Sequence, residues 1–189
     1  MAEFDFDAAL RWARFDPKGT LTRRDDSELP FVNPGLIGGQ GLLLDTSVYI
    51  DQMQDRSPLI LDDLIAQRQV NHSTVAIREL MHTVGVLDPS DARTATVIDV
   101  IGVQIRAMPP HRIFAPDTEV LGRAALLSGI LCRLQGYEKD GKLRALQDCV
   151  LFLQARKLGL VVLSANVNDY DILLQLVPTG RALFYRPIR

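Results

Sequence analysis

Four acidic residues of this 189-residue chain stand where a carboxylate could do chemistry rather than solvate the surface. Asp45 directly follows the apolar run Leu42–Leu44, and Asp148 interrupts the apolar segment LQDCVLFL. A carboxylate in apolar surroundings is costly unless it is paired, hydrogen-bonded or bound to a metal. The remaining two acids belong to the helix predicted after Ser73 and to the loop predicted after a late apolar run. The four candidates are Asp45, Glu79, Asp148 and Asp169.

The chemistry that such a set favours is the binding of a divalent cation. Carboxylates that share one cleft repel each other, and a cation offsets that repulsion. Oxygen ligands without histidine or cysteine suit Mg²⁺ or Mn²⁺ better than zinc. The two cysteines form no CxxC pair and the three histidines have no ligand spacing, so neither a zinc site nor a disulfide framework is predicted. Polar neighbours that could support the site are Thr46, Ser47, Ser164 and Asn166.

Each acid also has an ordinary structural alternative. Asp45 and Asp169 could simply cap the helices that follow them. Glu79 could be a solvated helix residue, and Asp148 could pair with Arg144 four residues earlier. The convergence of all four on one cleft favours the functional interpretation over these alternatives.

The elements that must position these acids alternate between short apolar strands and helices. Such alternation predicts an α/β fold of three layers, with a short central parallel sheet covered by helices on both faces. In such a sheet, ligands bind outside the carboxyl ends of the strands, where Asp45 and Asp169 are expected. The predicted strands are 42–44, 70–72, 113–115, 160–163 and 183–185.

Helix boundaries follow from capping residues and apolar spacing. Ser73 is predicted to cap a helix with the apolar stripe Ile77, Leu80, Met81 and Val84. Pro and Gly punctuation places the other helix ends and a loop at EKDGK. The remaining predicted helices are 46–54, 58–67, a helix from Pro89-Ser90 to Ala107, another from Pro116-Asp117 to Gly136, 143–158 and 169–176, with the loop at 138–142.

The first 40 residues form a predicted extension, partly irregular, ahead of a domain at 41–189. Only residues 6–15 have helical apolar spacing, whereas 16–40 are rich in turn formers. The aromatic residues of the first stretch, Phe4, Phe6, Trp12 and Phe15, are too apolar for a free tail. Residues 4–15 are therefore expected to dock on the domain or across a dimer interface, although the turn-rich part would also suit a mobile tail.

Composition points to a soluble, cytoplasmic protein. Apolar residues make up 47%, the net charge is −2, and no apolar run approaches the ~20 residues that cross a bilayer. The acidic start has no basic segment of a secretory signal. Residues 133–189 carry 9 basic and 5 acidic side chains, so an RNA-binding face is compatible with the acidic total. Its candidate cations are Arg133, Lys139, Lys142, Arg144, Arg156 and Lys157.

Taken together, these motifs resemble the PIN-domain ribonucleases, and most of all the VapC-type toxins of bacterial toxin–antitoxin pairs. The resemblance covers residues 41–189 and is carried by four segments in the order and rough spacing of that family. They are LLLDTSVYID (42–51), STVAIREL (73–80), APDTEV (115–120) and LQDCVLFLQARKLGLVVLSANVNDYDIL (146–173).

The resemblance implies a Mg²⁺- or Mn²⁺-dependent endoribonuclease with RNA as substrate, a cognate antitoxin as partner and a homodimeric state. It places Asp45, Glu79 and Asp148 in the invariant acidic positions of the family, and Ser164 where threonine is usual. Asn166 stands where the family often has an acid, which leaves Asp169 as the fourth carboxylate.

The other polar residues receive supporting roles in this interpretation. Thr46, Ser47 and Ser164 are expected to hydrogen-bond phosphate or carboxylate, and Asn166 to hydrogen-bond water or phosphate.

Two other classes of protein begin from similar residues. A phosphatase of the haloacid dehalogenase type needs a second acid two residues after the first, and Ser47 stands there, so that class is set aside. A PIN-like domain that has lost catalysis and serves as an RNA-binding or protein-interaction module stays open because of Asn166. Binding of Mn²⁺ distinguishes the two interpretations, since a degenerate site binds the ion poorly.

Overall fold

A computed structural model describes residues 4–11, 19–136 and 139–188 of the chain. Its centre is a parallel sheet of five short strands in the order β3-β2-β1-β4-β5. The predicted α/β class with a parallel sheet is confirmed, and no strand end differs from the prediction by more than one residue. The strands are β1 (Leu42–Leu44), β2 (Val70–Ser73), β3 (Ile113–Phe114), β4 (Val161–Ser164) and β5 (Ala182–Phe184).

Helices cover both faces of the sheet, as predicted for three layers. Side chains alternate along each strand, so Leu43 and Val162 face one core, while Leu42 and Leu44 face the other. The first core packs mainly against α6, α7 and α8, and the second mainly against α2 to α5. The helices are α1 (Phe6–Leu10), α2 (Thr46–Met53), α3 (Leu59–Gln67), α4 (Thr74–Val86), α5 (Thr94–Arg106), α6 (Thr118–Gln135), α7 (Lys139–Leu158) and α8 (Val167–Leu176).

The strand order reverses between β1 and β4. From β1 the chain builds β2 and β3 on one side of the sheet, and later β4 and β5 on the other. Leu44 is in register with Leu163, and the Asp45 amide donates to the Leu163 carbonyl at 3.0 Å. In open α/β sheets the ligand crevice lies at such a reversal, so Asp45 and Ser164 stand side by side at its mouth.

The predicted loop at 138–142 is wrong, because α7 already begins at Lys139. Gly141 in a helix costs about 1 kcal/mol relative to alanine. From residue 141 onward, Ala145 is the first buried residue of α7, whereas Lys142, Leu143 and Arg144 are exposed. A helix anchored from Ala145 onward gains one hydrogen bond for each residue added, which extends it into a segment whose composition suggests a loop.

Two further details of the helix prediction are corrected. Met81 is 53% exposed, because the buried face of α4 is formed by Val75, Ala76 and Leu80 instead. The helix predicted from Pro89 starts only at Thr94. Hydrogen bonds to the side chain and carbonyl of Asp88 hold the preceding residues in a turn.

Part of the predicted extension packs on the sheet. Leu29 is buried in a core, and residues 30–32 run parallel to β5 at the edge of the sheet. The Val32 amide donates to the Phe184 carbonyl at 2.7 Å, and the Phe184 amide donates to the Pro30 carbonyl at 2.9 Å. These bonds give β5 a neighbour on its outer side.

An ion pair with one fully buried partner also holds this segment. Asp171 of α8 is fully buried, and its carboxylate accepts bonds from the backbone amide and the Nε of Arg24, both at 2.7 Å. The Gln175 amide donates to the same carboxylate at 3.0 Å. Residues 19–32 are therefore fixed to the body of the domain by both polar and apolar contacts.

The first helix docks on α6 through Phe4. A Cβ added to Gly122 of α6 would lie 2.2 Å from Cε2 of the Phe4 ring, and Ala9 of α1 is buried. The predicted helix at 6–15 is described only over Phe6–Leu10, and Trp12 and Phe15 lie outside the described residues. Within the described ranges, no helix has both the length and the apolar character to cross a membrane.

Gly122→Ala is expected to detach the first helix without weakening the domain. Its methyl group cannot coexist with the Phe4 ring, while alanine favours the α6 helix by about 1 kcal/mol. Limited proteolysis should then remove the first residues faster than in the wild type. Gly129→Ala in the same helix is the matched control, because nothing lies within 4 Å of its added Cβ. Equal cleavage rates for both variants would contradict docking of Phe4.

Candidate functional site

Asp45 is held by two hydroxyl groups at the end of β1. Its Oδ2 accepts a hydrogen bond from Ser47 at 2.6 Å and one from Ser164 at 2.7 Å. Asp45 occupies the N-cap position of α2, yet its side chain makes no capping bond. Capping therefore does not account for this carboxylate, and its orientation is set by hydroxyls from two different strand ends.

The Ser47 and Ser164 side chains are themselves fixed by backbone amides. The Ala165 amide donates to Ser47 Oγ at 3.1 Å, and the Asn166 amide donates to Ser164 Oγ at 2.9 Å. Each hydroxyl therefore has an amide donor for its oxygen, and its single proton is left for Asp45. Both serines support Asp45 rather than face the solvent.

Glu79 reaches the same edge of the sheet from α4. The Thr46 hydroxyl donates to Glu79 Oε2, which joins the first residue of α2 to the second turn of α4. Burial raises the pKa of Glu79, repulsion from Asp45 adds to the rise, and the Thr46 bond opposes it. The residue is half-buried, so the interpretation of a freely solvated side chain does not fit.

Asn166 links the other two carboxylates. Its Nδ2 donates to Asp148 Oδ2 at 3.1 Å and to Asp169 Oδ2 at 2.9 Å. Its Oδ1 accepts from the Asp169 amide at 3.4 Å, so Asn166 is the N-cap of α8 and Asp169 lies in the first turn. Asn166 therefore contacts the acids themselves rather than standing ready for water or phosphate as expected, and the N-cap alternative applies to it and not to Asp169.

The other three acids lie near enough to Asp148 to act on it through their charges. Burial raises its pKa well above the usual range, and repulsion from Asp45, Asp169 and Glu79 raises it further. Arg144 opposes this rise by its charge alone, since no salt bridge joins the two within the described chain. We call the four carboxylates of Asp45, Glu79, Asp148 and Asp169 the acid cluster. The other four predicted side chains, Thr46, Ser47, Ser164 and Asn166, lie beside it.

The donor chemistry of the acid cluster fits a hard divalent cation. Its ligands would be carboxylate oxygens, and the repulsion at Asp148 is the cost that a cation relieves. In the arrangement described, no three carboxylate, imidazole or thiol side chains of residues 4–11, 19–136 and 139–188 come close enough together to hold one ion. Asn166 donates to both Asp148 and Asp169, whereas Asp45 is held by Ser47 and Ser164, and Glu79 by Thr46.

Sequence reasoning missed two tyrosines beside the acid cluster. Tyr170 of α8 is fully buried, and its hydroxyl lies 3.5 Å from Asp45 Oδ1. Tyr185, just after β5, donates its hydroxyl to the buried Asp51 at 2.7 Å and its amide to the Ser164 carbonyl at 3.3 Å. The available signal was position, since both follow strands that end at the same edge of the sheet as β1.

Of the candidate RNA-binding cations, Arg133 lies in the last turn of α6, and Arg144, Arg156 and Lys157 lie on α7. Lys157 is paired with Asp117 and Glu119 at 2.6 and 2.5 Å, and Arg156 donates to Thr179 at 2.7 Å. These two lie where α7 leads into β4, at the amino edge of the sheet, and are remote from the acid cluster. Arg144, one turn before Asp148, lies on the side of the acids.

Comparison with known proteins finds the fold but no sequence family. No family model matches the chain, and no curated protein does. Among solved structures, FitAcB from Neisseria gonorrhoeae matches at a TM-score of 0.54 and 18% identity over 76% of this chain and 96% of that one. DNA-bound VapBC from Salmonella typhimurium matches at 0.54 and 16% over 76% and 97%.

A third structure gives the same result at lower identity. VapBC2 from Rickettsia felis, bound to a promoter DNA fragment, matches at a TM-score of 0.53 and 9% identity over 76% of this chain and 98% of that one. At such identities the likeness establishes the fold alone. The chain thus has a PIN-like three-layer fold with an acid cluster at the reversal of its strand order.

Asn166→Ala and Asp169→Asn are expected to separate stability from ion binding. Loss of the Asn166 N-cap should cost about 1 kcal/mol of unfolding free energy. Asp169→Asn removes a charge that faces Asp148, so it should weaken Mn²⁺ binding more than Asn166→Ala does. Melting temperature and calorimetric Mn²⁺ affinity, measured on both variants, test the assignment. Abolished Mn²⁺ binding in Asn166→Ala with unchanged binding in Asp169→Asn would reverse it.

Proposed function

We propose that this chain is a Mg²⁺- or Mn²⁺-dependent endoribonuclease that acts as the toxin of a toxin–antitoxin pair. The observation that carries the proposal is the convergence of four carboxylates on one cleft, expressed in the raised pKa of Asp148. Structural ion-pair networks usually match acids with bases, whereas hydroxyl groups donate to Asp45 and Glu79, and the Asn166 amide donates to Asp148. Such an excess of negative charge suits a cation-binding active site.

Asp45, Glu79, Asp148 and Asp169 would hold the ions. Bound divalent ions would orient a water molecule and stabilise the charge that develops on a phosphodiester during hydrolysis. The hydroxyls of Ser47 and Ser164 keep Asp45 in place, and Asn166 keeps Asp148 and Asp169 next to each other. The chain's own contribution is therefore a set of pre-oriented oxygens.

Glu79 is the residue best placed to handle a proton. Its Oε2 is engaged by Thr46, which leaves Oε1 as the proton acceptor. Because its pKa is raised, its carboxylate is a stronger base than an ordinary glutamate. The amides at the start of α2 add a site for phosphate oxygens beside it.

Arg78 and Arg144 are the cations best placed to meet the RNA backbone. Both are exposed, and each acts on an acid of the cluster through its charge, Arg78 on Glu79 and Arg144 on Asp148. Guanidinium contacts to phosphates position a nucleic acid without reading its sequence. These two residues would hold the strand across the acid cluster.

The proposed partners follow from the structures of the same fold. The matching structures include FitAcB and two VapBC complexes bound to DNA. By analogy, this chain would bind a cognate antitoxin protein and form a homodimer. Expression of the chain alone in a bacterium should arrest growth, and co-expression of the neighbouring reading frame should restore it.

A cleavage assay tests the activity. The purified chain is incubated with single-stranded RNA in Mg²⁺, Mn²⁺ or EDTA, and with DNA of the same sequence. Cleavage of RNA that needs the ion and stops in EDTA supports the proposal. RNA binding without cleavage and without measurable Mn²⁺ affinity would favour the alternative, a catalytically degenerate RNA-binding or protein-interaction module.

A further inference from the structure

We propose that a cavity at the amino edge of the sheet binds a small phosphate ester, whose phosphate meets Arg68 and Arg181 and whose organic part covers an apolar wall. The cavity has a volume of about 400 Å³, and its lining includes Gln40, Arg68 and Arg181. It lies at the opposite edge of the sheet from the acid cluster. The inference therefore stands apart from the proposed function.

The cavity lies where several strands begin. Val161 and Ala182 are the first residues of β4 and β5, and Gln40 stands two residues before β1. Arg68 ends α3 and stands two residues before β2, while Arg181 directly precedes β5. Because the strands are parallel, their starts meet at one edge of the sheet, and the fold brings these distant residues together there.

Arg68 supplies a positive charge with a fixed position. The Ile37 carbonyl accepts from its Nε at 3.0 Å, and the carbonyls of Leu36 and Gly38 accept from its Nη2, the latter at 2.7 Å. A Cβ added to Gly39, whose φ is +137°, would lie 3.0 Å from the same Nη2. The chain is therefore wrapped closely around this guanidinium and holds its charge beside the cavity.

Gln40 brings the second guanidinium to the same place. Its backbone carbonyl accepts from Arg68 Nη1 at 3.4 Å, and its side-chain Oε1 accepts from Arg181 Nη1. The Arg181 side chain is exposed, and this is the one bond that it makes within the described residues. Since a guanidinium has five N–H donors, Arg181 keeps a fork of donors for a ligand.

The two positive charges are not balanced by acids. The side-chain bonds of Arg68 go to backbone carbonyls and that of Arg181 goes to a neutral glutamine, and in the part of the chain that the structure describes neither forms an ion pair. Burial lowers the pKa of Arg68, the effect of lost hydration without a carboxylate in exchange. An anion beside both guanidinium groups would relieve their mutual repulsion.

Charge and shape together indicate a phosphate ester. A phosphate monoester carries a charge of about −1.5 to −2 at neutral pH, which matches two guanidinium groups. The arginine fork also fits the geometry of phosphate oxygens. The rest of the lining is mainly apolar, and the volume lies in the range of about 300–1,000 Å³ that is typical of sites for small organic ligands. The apolar wall includes Leu36, Val161, Leu174 and Leu183.

Calorimetric titration of the full chain tests the site, with AMP, adenosine and inorganic phosphate as probes. AMP is expected to bind more tightly than inorganic phosphate, because only AMP has an organic part that covers the apolar wall. Adenosine is expected not to bind, since it lacks the phosphate. The titrations contain EDTA, so that the acid cluster repels the phosphates and does not compete for them.

Arg181→Gln is expected to weaken AMP binding about tenfold or more, because it removes a charge and a donor fork. Its melting temperature should equal that of the wild type, since the side chain is exposed. Arg181→Lys keeps the charge but not the fork, so it should recover part of the affinity. Arg106→Gln is the matched control, because it removes the same charge from an exposed arginine of α5 that does not line the cavity.

Three results would overturn the proposal. Equal AMP affinities in the wild type and Arg181→Gln would remove the phosphate from the arginines, and so would adenosine binding as tightly as AMP. Failure of both AMP and inorganic phosphate to bind at millimolar concentration would remove the site itself. None of these results bears on metal-dependent cleavage, because the titrations contain no divalent ion.

Discussion

Asp148→Asn is expected to lower metal-dependent RNA cleavage by orders of magnitude while the chain stays folded. The substitution keeps the volume and the acceptor oxygen but removes one charge from the acid cluster. That charge repels Asp45, Glu79 and Asp169, so its loss removes a ligand without creating a cavity. Initial cleavage rates in Mg²⁺ and Mn²⁺ measure the effect.

The same substitution should stabilise the metal-free protein near neutral pH. Because the folded state raises the pKa of Asp148, it binds a proton more readily than the unfolded state does. Stability from this residue is thus complete below the ordinary aspartate pKa and is lost as pH rises through the folded value. In EDTA, the variant should melt above the wild type at pH 7, and the difference should vanish near pH 3.

Asp63→Asn is the control for charge alone. Asp63 is an exposed acid of α3, and its replacement should change neither cleavage nor the pH dependence of melting. Undiminished Mg²⁺-dependent cleavage by Asp148→Asn would remove Asp148 from the site. A melting temperature below that of the wild type at pH 7 would contradict the repulsion that its raised pKa indicates.

Arg24→Ala is expected to have the largest effect on stability. It leaves the fully buried Asp171 with the Arg24 amide and Gln175 but no positive charge. Removing one partner of a fully buried pair costs about 3–5 kcal/mol, and the 37% exposure of the Arg24 side chain places the expected loss at or below the lower end of that range. Chemical denaturation of the variant measures that loss, and Arg24→Ala combined with Asp171→Asn should recover part of it.

Arg93→Ala provides the comparison on the surface. Its pair with Asp91 has a similar distance, 2.6 Å, but the Arg93 side chain is 86% exposed. An exposed pair contributes about 0–1 kcal/mol. Equal losses of unfolding free energy in Arg24→Ala and Arg93→Ala would show that residues 19–32 are not anchored through Asp171.

Local patterns predicted the elements, and tertiary contacts decided their limits. The apolar runs at 42–44 and 160–163 identified two central strands, because a fully buried strand has no polar face. The start of α7 was missed, since a helix that is anchored from the buried Ala145 onward continues into residues with a loop-like composition. Met81 was misplaced because apolar spacing defines a stripe but not which side of that stripe meets the core.

The acids of the site were visible in the sequence, whereas their supports were not. Asp45 and Asp148 stand out because a carboxylate beside apolar residues is costly unless it is hydrogen-bonded, paired or bound to a metal. Arg24 with Asp171, and Tyr185 with Asp51, are far apart in the chain, and no local pattern marks them as partners. Long-range pairs of common residue types become evident only when the strand order is known.

The pairing of residues 30–32 with β5 also bears on how the chain behaves at high concentration. A free strand edge is a template on which other chains add, and this leads to fibrils and swapped assemblies. At β5, residues 30–32 of the same chain already pair with the free edge. On the opposite side, β3 has only two residues, too few for a lengthy register. Removal of residues 1–40 would therefore be expected to promote aggregation, even if the remaining domain folded.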